Sequence, residues 1–461
     1  MLTQCLTLTM LNGEIKTTSR SIGMPLLPTE DLLERDVYNA PNVAYSEHFA
    51  LRWGDGFVLS STQQEILLEA LELSWTSEIE EQGYPPPSGT EQYLFNVYLG
   101  DTGGSVPASM GASGYYTTDS EGWPMVVLGP YVYEYGDQHL STIPHEFFHA
   151  VQHSLGNYLD DDRARWYWEA TATWMEGEVY PQEPLAGIFL FGFLFNPHFA
   201  INAAPEFDGL ASDYFSYGAF SFIDRLSELT EREAVRDSWV EAAQLPLSWW
   251  KNRLSAESID ISDVIVDFSV DRAMLDLTDI DLYESDLEQY AQTFSQEDYR
   301  VTANLPSSGI STFREVSNAF FPQRGGYNHL VLEEPLWDSM ILEIEAEGLG
   351  SLGSSAVWSA RAVVLRENDY DIHDISFKDG RAEQELSQLL GVKQISIIVS
   401  SWAEQDKVSE QFFYKYRMFK KEEAEDLSQE GCREHKSALI LVMPLCLWGV
   451  RRRNILFNYR S

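Results

Sequence analysis

Two histidines flank a glutamate in His145-Glu146-Phe147-Phe148-His149. On a helix this four-residue spacing sets both imidazoles on one face, where they can offer nitrogens to a single cation. Glu146 stands beside them, in position to take a proton from a water that the cation activates. A zinc centre of the catalytic type needs a third protein ligand and an open position for water. Glu169 lies 20 positions after His149, and Glu176 lies seven further on along the same helical face, so either carboxylate completes a set of three. His153, four residues after His149, reads as a helix-surface residue or as one that orients a ligand.

The elements that must carry these residues are legible from periodicity. Ser141 and Pro144 precede the apolar-periodic run that holds the two histidines, which marks a helix start. A second helical pattern begins near Arg165 and contains Glu169 and Glu176, and the intervening Gly-Asn-Tyr-Leu-Asp-Asp-Asp stretch supplies the turn. Upstream, strand-like runs at His48–Trp53, Gln92–Gly100 and Met125–Leu128 alternate with a helical pattern from Thr62 to about Gln82. The Met125–Leu128 strand is a candidate edge along which an extended substrate would pair, or else a plain core strand. Beyond Phe320 short alternating runs separated by Gly, Ser, Asp and Asn clusters predict a β-sandwich.

The expected fold class is therefore α+β. Residues 1–30 form an irregular segment, 31–305 the domain with the candidate metal centre, 310–418 the sandwich, and 419–461 an acidic linker with a hydrophobic and basic tail. A chain of 461 residues has room for two or three such units. The net charge of −41 repels phosphate backbones and argues against nucleic acid as a partner. Three cysteines, two of them in the tail, build no disulfide framework. The acidic Asp160–Asp162 loop lacks the glycine and bidentate glutamate of a calcium loop and reads as a solvated turn.

With the His145–Gln152 and Trp166–Val179 segments in view, the sequence resembles the gluzincin zinc metallopeptidases, the thermolysin-like clan, and in particular secreted bacterial members. The resemblance implies Zn2+ held by His145, His149 and Glu169, Glu146 as general base, and a protein or peptide substrate. It also offers Tyr217, with Tyr214 beside it, as the catalytic hydroxyl donor, since related families place a tyrosine after the zinc helices. Two departures stand out. Thr173 occupies the position four residues after Glu169 where thermolysin-like enzymes carry an aspartate, and the Gly-x-Met-Glu-Asn motif of the related aminopeptidases does not precede His145. The second favours an endopeptidase. The rival expectation is a non-catalytic surface binding protein that retains a structural zinc site, against which the presence of Glu146 argues.

The tail bears on location. Gly431-Cys432, the apolar residues 437–450 and Arg451-Arg452-Arg453 follow the order of tripartite C-terminal sorting signals of bacterial surface proteins. That resemblance implies an extracellular or cell-surface protein attached to a membrane through the tail, although the apolar stretch is shorter than the roughly 20 residues of a spanning helix. The rival is a buried or interfacial C-terminal helix. The first ~25 residues lack a basic start and make a poor signal peptide, so either the true start differs or the tail is no sorting signal.

Overall fold

The structure, a computed structural model, describes residues 4–11, 14–21 and 32–422, apart from 112, 135–138, 160, 182–186, 206–213, 279, 294–299 and 368. Residues 1–30 were expected to be irregular, yet β1 (Gln4–Leu11) and β2 (Glu14–Ser21) pair antiparallel. The linker and tail from 423 onward, including residues 437–450 and the three arginines, lie outside the described residues. Among the described residues no helix is long and apolar enough to cross a membrane.

A five-stranded mixed sheet underlies the candidate site. Its strands are β3 (Asn42–Tyr45), β4 (Phe49–Trp53), β5 (Phe95–Leu99), β6 (Gly114–Thr118) and β7 (Pro124–Leu128), in the order β3-β4-β5-β7-β6. The pairs β4–β5 and β5–β7 are parallel, which requires crossovers, and their strands are uniformly buried as such interior strands must be. The Met125–Leu128 run is therefore an interior strand between β5 and β6. The edge belongs to β6, whose half-buried Gly-Tyr-Tyr-Thr-Thr sequence carried little hydrophobic signal.

Helices cover one face of this sheet. α1 (Ser61–Trp75) opens with a capping box between Ser60 and Gln63 and runs directly into a π-helical segment at Thr76–Glu81, so the helical stretch expected from Thr62 to about Gln82 is present and changes only its hydrogen-bond pattern after Trp75. A short α2 (Pro130–Glu134) precedes α3 (Thr142–Leu155), which buries Ile143, Phe147, Phe148, Ala150 and Val151 in the main core and ends on Gly156 in the left-handed region. A 3-10 turn capped by Asp161 leads into α4 (Arg165–Val179), which packs along α3. The remaining helices are α5 (Gly187–Leu194), α6 (Phe215–Gly218), α7 (Phe220–Leu229), α8 (Glu233–Glu241), α9 (Pro246–Ala256), α10 (Ile261–Met274) and α11 (Glu284–Thr293). Together with the sheet they enclose one aromatic-rich core.

From β8 (Ala303–Leu305) the chain is β throughout: β9 (Ile310–Glu315), β10 (Tyr327–Glu333), β11 (Ser339–Ala346), β12 (Val357–Leu365), β13 (Tyr370–Ile375), β14 (Arg381–Ser387), β15 (Gln394–Trp402) and β16 (Tyr414–Lys420). They form sheets ordered β13-β12-β15-β10-β8 and β14-β11-β16-β9, whose inner faces share a second core. Helix α10 lies on the outer face of the larger sheet, where Val270 meets Tyr327, Val363 and Ile398 and where Arg361 pairs with Asp267 at 3.0 Å. The fold is thus α+β, with the candidate site in the helices of the first part.

Candidate metal centre

Helix α3 sends its large apolar side chains to the core and thereby turns His145, Glu146 and His149 toward a cleft of about 440 Å³. The two imidazole rings lie 4.8 Å apart and nearly perpendicular. Glu169, from the first turns of α4, brings its Oε2 to 3.5 Å from Nε2 of His145 and 3.5 Å from Nε2 of His149. These separations are long for ordinary hydrogen bonds. They are close to the roughly 3.4 Å that two ligands bonded at 2.0–2.1 Å to one tetrahedral zinc would keep. Oε2 of Glu169 is buried and has no hydrogen-bond partner, so the arrangement leaves it with a lone pair aimed between two imidazoles. Two histidines and a carboxylate are a zinc donor set, and the residues fit that metal.

Each imidazole is held from behind. His145 Nδ1 lies 2.7 Å from Glu176 Oε1, so Glu176, the rival ligand, instead orients one. Glu169 and Glu176 stand seven positions apart on the helix, and His145 sits between the two carboxylates. Thr173, midway between them, is buried with its hydroxyl unpartnered and takes no part. His149 Nδ1 lies 2.7 Å from Gln152 Oε1, while the Gln152 amide donates to the Trp168 carbonyl at 3.1 Å and the Thr171 hydroxyl at 2.9 Å. Gln152 was missed in the sequence although it sits three residues after His149, where helix neighbours meet. His153 faces Tyr116, with ring centroids 5.5 Å apart, and stays out of the ligand set.

The electrostatics follow from burial and these neighbours. Burial pushes the Glu146 carboxyl up, the two imidazoles oppose this, and the Glu169 and Glu176 carboxylates reinforce it. Burial also acts to raise Glu169, but the two imidazoles of His145 and His149 beside its carboxylate win and hold it well below the usual carboxylate range. Tyr217 stacks on His145 at 5.8 Å and lines the cleft; burial and the carboxylates of Glu169 and Glu146 keep its hydroxyl protonated and able to donate. The neighbouring Tyr214 rests against Phe189. Edge strand β6 closes the opposite wall: a Cβ on Gly114 would come within 3.1 Å of the Val127 carbonyl and 3.4 Å of Glu146 Cγ, so the glycine makes room for Glu146. In the loop between α3 and α4, Asp161 is engaged by Arg163 through two hydrogen bonds of 2.9 and 2.7 Å, as a solvated turn would be.

Residues 17–368 match the family described as "Family of unknown function (DUF6055)", and the chain belongs to that family. No curated protein matches the chain. Among solved structures, a family GH115 4-O-methyl-alpha-glucuronidase with specificity for decorated arabinogalactans matches at 10% identity and a TM-score of 0.15. The match covers 64% of this chain and only 46% of that one, so the chain spans less than half of the glucuronidase's length, and at this TM-score the likeness carries no argument. The family match overturns the gluzincin assignment: the family to which the chain belongs is described as one of unknown function and not as a peptidase family. Peptide-bond hydrolysis, the preference for an endopeptidase and the protease reading fall with it, and the rival of a non-catalytic surface protein gains no support. The geometry agrees with the correction in one respect, since the carboxylate behind His145 comes from Glu176 and not from the position of Thr173.

Proposed function

We propose that this member of the DUF6055 family is a zinc-dependent hydrolase whose ion is held by His145, His149 and Glu169. What carries the reading is the buried, unpartnered Oε2 of Glu169 standing 3.5 Å from both imidazole Nε2 atoms. A binding site alone has no use for a carboxyl beside the ligands, whereas Glu146 is buried in the same cleft with its affinity for a proton raised. Zinc, when bound, supplies Lewis acidity and lowers the pKa of a water toward about 7.

The chain's own residues then divide the work. Glu146 takes the proton of the attacking water and returns it to the leaving group. Tyr217, with its hydroxyl kept protonated, donates to the oxygen on which negative charge develops. Glu176 and Gln152 hold the imidazoles so that Nε2 of each is turned toward Glu169, where the three would hold the ion. The donor set with Glu146 beside it supports hydrolysis by activated water as the reaction class, and a substrate screen assigns the bond.

The test is zinc content together with hydrolysis of p-nitrophenyl acetate, a substrate that reports water activation without demanding specificity. Wild-type protein should bind about one zinc per chain and lose turnover on chelation, and Glu169→Ala should lose both. Turnover that survives in zinc-free protein would defeat the reading.

A further inference from the structure

Arg165 opens helix α4 four residues before Glu169, so the two side chains rise from one helix face a single turn apart. It lines the same cleft as His145, Glu146 and His149, and its charge reaches the Tyr217 hydroxyl. The chain has 31 basic residues against 72 acidic ones, so an arginine can find a carboxylate almost anywhere. Arg163, Arg236, Arg253 and Arg417 have each done so. Among the described residues Arg165 makes no ion pair and no hydrogen bond, although Asp161 and Asp162 line the same cleft. Asp161 is occupied by Arg163 on both oxygens. A guanidinium left exposed beside the metal ligands presents a planar fork of donors to whatever enters, and the group that matches this fork is a carboxylate.

We infer that Arg165 is a specificity-determining residue that selects substrates carrying a carboxylate next to the bond that is cleaved. The inference rests on the hydrolytic reading above. An acidic protein repels anions at long range, and Arg165 supplies the local attraction that admits one.

The test compares two zinc-binding probes on the full, zinc-loaded chain by calorimetry: acetohydroxamate, and the monohydroxamate of succinic acid, which adds a carboxylate. Wild type should bind the acid-bearing probe about fivefold more tightly, the scale of one solvent-accessible ion pair. In Arg165→Gln the ratio of the two dissociation constants should fall to about one, and Arg165→Lys should restore part of it. A ratio of one in wild type, or an unchanged ratio in Arg165→Gln, overturns the inference and leaves the zinc centre standing. If neither probe distinguishes zinc-loaded from zinc-free protein, the hydrolytic reading fails as well. Arg165 is exposed, so its variants keep the fold, and circular dichroism checks this.

Discussion

His145 and Glu176 are joined by a 2.7 Å contact between Nδ1 and Oε1, which fixes the imidazole with Nε2 toward Glu169. The consequence is measurable in metal affinity. Losing a partner of this kind weakens a site by about 10- to 100-fold, so Glu176→Gln should weaken zinc binding in chelator competition toward the lower figure and Glu176→Ala toward the higher. Both should still fill with zinc at saturation. Stoichiometric loss in Glu176→Ala with retention in Glu169→Ala would exchange the roles of the two glutamates.

Gln152 does the same for His149 and also ties α3 to α4 through Trp168 and Thr171. Gln152→Ala removes a fully buried amide and strands partners on both helices. It should destabilise the protein by about 1–3 kcal/mol in urea unfolding and weaken zinc as well. A variant with unchanged stability would mean that the network is not formed.

How much of this was readable in advance depends on distance along the chain. The His145–His149 pair and Glu146 follow from spacing on one helix, and Glu169 from a second helical pattern nearby. The roles of Glu176 and Gln152 required side-chain directions, because periodicity assigns a face and not a partner. Strand order was less legible still: β6 pairs with β7 at the sheet's edge through non-local contacts, and its polar, aromatic sequence gave no alternation to read. The family resemblance rested on a short motif, which carries chemistry across unrelated folds and so could not carry the substrate.

Gly114 is the point where that edge strand meets the base. Gly114→Ala places a Cβ 3.1 Å from a backbone carbonyl that cannot swing away and 3.4 Å from Glu146 Cγ. Turnover of p-nitrophenyl acetate should fall about tenfold while zinc content holds, as a displaced base would cause. Full turnover in Gly114→Ala would show that the wall does not position Glu146.

His198, which does not line the cleft, gives a separate pH signature. It is buried between Phe199 and Phe320 with Nδ1 unpartnered, and burial, helped by the charge of Arg272, pushes its pKa from 6.5 down to about 4. Between those values the unfolded chain takes a proton that the fold refuses, so stability falls as the pH drops through this window. The full loss is about 3 kcal/mol at the lower end. His198→Gln should flatten the unfolding free energy between about pH 6.5 and 4 relative to wild type, and an equal slope in both would exclude the buried neutral histidine.

In the proposed function Glu146 activates a water at an ion held by His145, His149 and Glu169. The direct measurement is zinc content and p-nitrophenyl acetate turnover of Glu146→Gln beside wild type. Both should hold about one zinc per chain, with a rate lower by about a hundredfold or more in the variant. Equal turnover with equal zinc would contradict it.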